Sequence, residues 1–140
     1  MKFFKPNSKI AVNVNVAAYL IDWEPKREVS KPQAAVKAFL RPYWKSHVVL
    51  EEFRIPGTRM RIDLINLTRR LAVEISPSGS HAWNPFFHNN DRSKFGRAIA
   101  RDLSKGDWCC QNGFKLIELG DEELESLTVK MFLEKYEVTL

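Results

Sequence analysis

Residues 47–76 confine the fold more tightly than any other part of the chain. They hold three apolar runs, "HVVLEEFRI" (47–55), "RMRIDLINL" (59–67) and "TRRLAVEIS" (68–76), parted only by "PGT" (56–58) and a polar connection around Asn66–Arg69. Runs of this kind read as strands, and breaks this short leave room for tight turns and little else. Gly57, following Pro56, can take the positive φ that such a turn wants. In the second run Met60, Ile62 and Leu64 alternate with Arg61, Asp63 and Ile65, the period of a strand with two unlike faces. The expectation is an antiparallel, three-stranded meander.

Helical patterns surround it. Ser30 can cap a helix whose first turn tolerates Pro32, and "QAAVKAFLRPYW" carries it on with Ala35, Phe39 and Leu40 on one side. Pro42 should end or bend that helix. Asp91 or Ser93 can cap a second helix over 92–106, where Phe95, Ile99 and Leu103 recur every four residues. A short buried strand follows at 114–119. "DEELESLTVKMFLEKY" then reads as one amphipathic helix with acids in its first turn, where the helix dipole favours them. In the N-terminal stretch Ile10, Val12, Val14 and Val16 alternate as in a strand. The 140 residues thus describe a single α/β domain with a mixed central sheet flanked by helices (26–140), preceded by a strand or hairpin arm (1–25).

Composition removes several function classes. The only cysteines, Cys109 and Cys110, are neighbours, which argues against a disulfide framework or a zinc site built from cysteine pairs. No apolar run approaches the ~20 residues of a membrane span. "MKFF" meets Lys5 and Pro6 at once, unlike a secretory signal, so a cytoplasmic location is expected. The net charge of +5 is unevenly placed: residues 26–70 carry eleven Lys or Arg against four acids, whereas 118–140 carry seven acids against two lysines. That asymmetry suits a polyanionic partner for the basic part, although solvated faces on an ordinary basic protein would look the same.

The residues with chemistry to offer lie around the second and third runs. Asp63 and Glu74 are eleven residues apart across a tight turn, so antiparallel pairing can bring both carboxylates to one end of the sheet. Two such groups make a hard, oxygen-lined site suited to Mg²⁺, which can hold a phosphate oxygen and lower the pKa of an attacking water. The competing arrangement pairs each acid with a nearby arginine, Arg59, Arg61 or Arg70. His81 follows the irregular "SPSGS" and is placed to act as general base or to stabilise a leaving group. Farther on, "FFHNNDR" adds His88, Asn90, Asp91 and Arg92, with Asp91 also a candidate helix cap. Arg92, Lys94 and Arg97 then line the first turns of the helix, where a phosphate can be held. Trp83, Phe86 and Phe87 read as local core rather than as base-stacking platforms.

Together these residues resemble the PD-(D/E)xK nuclease superfamily, and within it the branch of very-short-patch-repair endonucleases and phage homing endonucleases with an EDxHD signature. "RIDLINLTRRLAVEIS" is similar to the superfamily core: Asp63, a hairpin turn, then Glu74-Ile75-Ser76. His81 and Asp91 fall where that branch carries its histidine and last aspartate. The resemblance implies a restriction-endonuclease-like core and Mg²⁺-dependent hydrolysis of phosphodiester bonds in double-stranded DNA, with Mn²⁺ able to substitute. It implies Asp63 as central metal ligand, Glu74 as second ligand, His81 as acid/base group and Asp91 as its orienter or as metal support. Ser76 stands where many members carry an activating lysine, which throws the burden onto His81. The signature's first carboxylate is replaced by Gln33, or is supplied by Glu51 or Glu52, of which Glu52 is preferred. Arg59, Arg61, Arg92, Lys94 and Arg97 would neutralise phosphates. A homodimer or higher homo-oligomer, a phage or mobile-element origin and a place in the host-cell cytoplasm are further expectations. The rivals are a Holliday-junction resolvase and a non-catalytic nucleic-acid-binding protein that keeps the fold.

Overall fold

The computed structural model describes residues 1–24, 30–77 and 104–140. The meander is present: β3 (Val49–Arg54) pairs antiparallel with β4 (Arg61–Asn66), and β4 pairs antiparallel with β5 (Leu71–Ile75). A fourth strand, β6 (Lys115–Leu119), joins β5 in parallel, so the sheet is mixed with order β3-β4-β5-β6. A two-stranded hairpin, β1 (Lys2–Phe4) with β2 (Ala11–Asn13), and a 3-10 turn over Val16–Tyr19 precede it. The helices are α1 (Lys31–Trp44), α2 (helical over 104–111), α3 (Asp121–Glu125) and α4 (Val129–Tyr136).

Strand alternation feeds two cores. Val49, Leu64, Leu71, Val73, Ile117 and Leu119 face α1 and α4, where Val36, Leu40, Trp44 and Phe132 are fully buried. Their alternating neighbours Leu50, Ile65 and Ala72 face the other way, onto Trp108 and Cys109 of α2 and onto Phe114. Each fully buried aliphatic or aromatic side chain contributes about 1.5–3 kcal/mol, so both faces hold the sheet. The N-terminal hairpin belongs to the second core: Phe3 is 2% exposed, within 5.1 Å of the Phe53 ring and 5.8 Å of Trp108. Trp108 Nε1 donates to the Phe4 carbonyl at 2.8 Å and ties that hairpin to α2.

Several local expectations are corrected. Pro42 does not end α1, which runs on to Trp44. A proline removes one i→i−4 bond, and the fully buried indole of Trp44 just beyond offsets that loss. The Ser30 cap is as expected, its side chain accepting from Gln33 N. The alternation from Ile10 to Val16 yields only the three-residue β2 before the 3-10 turn. The final helical pattern is split, because Thr128 starts a new helix by accepting from Met131 N at 3.0 Å. The helix expected over 92–106 lies largely outside the described residues. Among the described residues α2 runs over 104–111, past the expected end at 106.

The largest departure is in the sheet. Ile62 and Leu64, two residues apart on β4, belong to opposite cores, and so do Val49 and Phe53, four residues apart on β3. Alternation fails on both strands at the same rung. Backbone pairing runs Glu51↔Leu64 and then Phe53↔Ile62, omitting Glu52 and Asp63 between them. Glu52 has φ +51, the left-handed region that a non-glycine residue reaches at a penalty of about 1–2 kcal/mol. One residue in that conformation reverses which side the following side chains point to. The distal half of the hairpin therefore folds Phe53, Ile55 and Ile62 over the second core. Asp63 stands at the bend.

Candidate active site

At this bend the β4–β5 ladder also changes character. Its last backbone pair is Leu64↔Val73; Asp63 and Glu74, next along, are joined through side chains instead. Glu74 Oε1 accepts from Asp63 N at 3.1 Å, and Asp63 Oδ2 accepts from Ile75 N at 2.8 Å. Each carboxylate thus takes over a backbone N–H that the opening ladder leaves without a carbonyl, as partly buried N–H groups require. The reciprocal bonds hold the two acids side by side. Glu74 thus closes the ladder where it bends.

The third member is a lysine. Lys105, in the first described turn of α2, places Nζ 3.1 Å from Glu74 Oε2, with the two side chains 18% and 11% exposed. Alternation directs Glu74 to the face that α2 covers, and Lys105, Trp108 and Cys109 share one face of that helix at i, i+3, i+4. Burial and the neighbouring Asp63 charge push the Glu74 carboxyl up to about 7, with Lys105 pulling the other way. Burial likewise raises Asp63; the Ile75 N–H opposes it, and the Glu52 charge adds to it. A carboxylate pair that resists holding two negative charges is suited to trading protons for a cation.

The other sequence candidates fall into three groups. Gln33 and Glu51 are brought together, but with each other: Gln33 Nε2 donates to Glu51 Oε1 at 3.1 Å, and Lys37 Nζ sits 2.7 Å from the same oxygen. With Lys37 only 3% exposed and Glu51 half-buried, Glu51 is engaged in a partly buried ion pair against α1. Glu52 is close enough for its charge to act on Asp63. Arg59 and Arg61 are exposed on the hairpin beyond the bend. His81, Asp91, Arg92, Lys94 and Arg97 lie outside the described residues, as do His88, Asn90 and the aromatics Trp83, Phe86 and Phe87.

The acids do not pair with the arginines near them in sequence. Glu74 takes Lys105, while Arg70 lies 5.5 Å over the Phe114 ring. Lys105 escaped the sequence reading because it is 31 residues from Glu74. Its helical spacing to the apolar Trp108 and Cys109 was the available signal. Asp63 and Glu74 fit a hard cation as two oxygen donors, yet among the described residues no group of three or more His, Cys, Asp or Glu side chains is arranged to hold a metal ion. Among the described residues no helix is long and apolar enough to cross a membrane.

Over 81 residues, 58% of its length, the chain is 33% identical to Uncharacterized protein 033L of Invertebrate iridescent virus 3. The match covers 41% of that viral protein, so the chain spans less than half of its relative's length. No family model and no solved structure matches the chain.

Proposed function

We propose that this protein is a metal-dependent endonuclease acting on double-stranded DNA, with Asp63, Glu74 and Lys105 at its centre. The observation that carries the reading is the reciprocal Asp63–Glu74 arrangement at an opened sheet rung, with a lysine against the second carboxylate. A structural ion pair needs one acid and one base. Here a second carboxylate is held beside the first, where it raises the energy of the charged state.

Asp63 and Glu74 would hold Mg²⁺ or Mn²⁺, which when bound polarises a phosphodiester and acidifies a water. The chain's own residues would contribute as follows. Ile75 N–H fixes the orientation of the Asp63 carboxylate. Glu74, half-protonated near neutral pH, must release its proton before it can bind a cation. Lys105 favours that release and supplies, from α2, the positive charge that Ser76 lacks. Glu52 adds a further carboxylate at the bend. His81 keeps the acid/base role its sequence position suggests, and Arg59 and Arg61 meet phosphates of the same strand. A restriction-endonuclease-like core, a homo-oligomeric state and a viral or mobile-element setting belong to the same proposal; the match to an iridescent-virus protein supports the last.

A second reading has its own observation. The Glu74–Lys105 pair and the lack of a third described ligand suit a DNA-binding protein that keeps the fold without the chemistry. Incubating supercoiled plasmid with the protein and Mg²⁺ separates the two. The nuclease reading expects nicking that falls about a thousandfold in Asp63→Asn and Glu74→Gln, roughly 4 kcal/mol of transition-state stabilisation. Binding without cleavage in both Mg²⁺ and Mn²⁺ sinks it.

A further inference from the structure

Beyond the bend, the β3–β4 hairpin forms one wall of an open groove of about 460 Å³. The other wall comes from Val12–Val14 of the N-terminal hairpin and from Tyr19. Its lining includes Arg54 and Arg59 and no acid. Arg54 Nε donates to the Thr58 carbonyl at 2.8 Å, which fixes the plane of its guanidinium and leaves the two terminal nitrogens as a fork. Neither arginine forms an ion pair with a described residue. The Lys5 side chain passes Gly57 at the groove's edge, about 3.8 Å from the place of a Cβ there.

A second observation points to an anion. Arg54 and Arg61 are direct cross-strand partners, both exposed. Like charges directly opposite on a sheet are destabilising, and nothing on the described surface compensates them. Three arginines at one end of one hairpin offer an external negative charge several donors at once. Arg59 lies four positions before Asp63, at most about 14 Å at ~3.4 Å per extended residue. That spans roughly four base-pair steps at 3.4 Å per nucleotide along one strand.

We propose that this groove holds the phosphate backbone of duplex DNA, with Arg54 and Arg59 as its donors and Arg61 continuing the contact toward Asp63. The N-terminal hairpin is then a DNA-binding wall as well as a core element. The assignment builds on the nuclease reading, but its test uses no metal and so fails or stands separately.

The test is fluorescence anisotropy of a labelled 30-base-pair duplex in EDTA, followed against KCl concentration. Each phosphate contact adds about −0.9 to the slope of log K against log salt. Arg54→Ala/Arg59→Ala should bind several-fold more weakly at 50 mM KCl, with the slope reduced by about two. The control Arg41→Ala/Lys130→Ala removes the same charge from two exposed ion pairs elsewhere and should leave the slope within a few tenths. Circular dichroism melting confirms that both variants are folded. Equal losses in both, no loss in either, no duplex binding by the native chain, or RNA of the same length displacing the DNA at lower concentration overturns the proposal. Groove-dependent binding in EDTA, with no cleavage when either Mg²⁺ or Mn²⁺ is then added, upholds the groove and removes the nuclease reading alone.

Discussion

Two lysine–glutamate pairs flank the same sheet, one on each face, and they are built differently. On the α1 side Glu51 meets Lys37 and Gln33, two donors from one helix converging on one oxygen. On the α2 side Glu74 meets Lys105, but it also accepts from the backbone of a second acid, Asp63, whose own carboxylate returns to the strand of Glu74. The first arrangement is charge-balanced and closed. The second holds an excess of negative charge at a place where the backbone ladder has been opened for it. Stability accounts for the Glu51 pair; the Glu74 pair needs a further reason, and the proposed cation would supply one.

The comparison breaks first on stability. Glu51→Ala leaves the Lys37 ammonium buried without its carboxylate, and urea denaturation should show a loss of about 3–4 kcal/mol. The same variant should nick DNA normally wherever it remains folded. A loss of cleavage in folded Glu51→Ala would move Glu51 into the site and erase the distinction between the faces.

The second difference is pH dependence. The folded-state pKa of Glu74, about 7, lies above its ordinary 4.5, so the native state binds this proton more tightly than the unfolded chain does. Its contribution is neutral below about pH 4.5 and increasingly unfavourable up to about pH 7, and burial of Asp63 acts in the same direction. Glu74→Gln mimics the protonated acid. It should be more stable than the native protein by about 2–3 kcal/mol at pH 8 and equal to it at pH 4. Thermal melts across that range check the sign; a variant less stable at pH 8 would make Glu74 a purely structural acid.

The smallest expected effect lies at the bend between the pairs. Glu52→Gly relieves a left-handed residue and should stabilise the fold by about 1 kcal/mol, read as a shift in the urea midpoint. If Glu52 also serves the cation, the same variant should bind it more weakly. A glycine that destabilises would show that the bend depends on the Glu52 side chain.

Much of this layout was legible beforehand, and what was missed has identifiable causes. The meander followed from spacing alone, because three runs with breaks of a few residues have almost no other arrangement. The approach of Asp63 to Glu74 followed from the turn between them. The bend did not: a period-two reading carries Met60, Ile62 and Leu64 on one face, and nothing in "LEEFR" announces that Glu52 will take φ +51. Lys105 stayed hidden because its partner is set by how α2 crosses the sheet, which is tertiary information. Pro42 misled for the opposite reason, since the local rule was sound but the buried Trp44 beyond it prevailed.

Titration calorimetry with Mn²⁺ tests the account at its centre. The native chain should bind the ion at pH 8 and about tenfold more weakly at pH 6, as the Glu74 proton competes. Asp63→Asn and Glu74→Gln should abolish that heat and Glu51→Gln should preserve it. Equal Mn²⁺ binding in Asp63→Asn, or none in the native chain at pH 8, would contradict the assignment of Asp63 and Glu74 as a cation site.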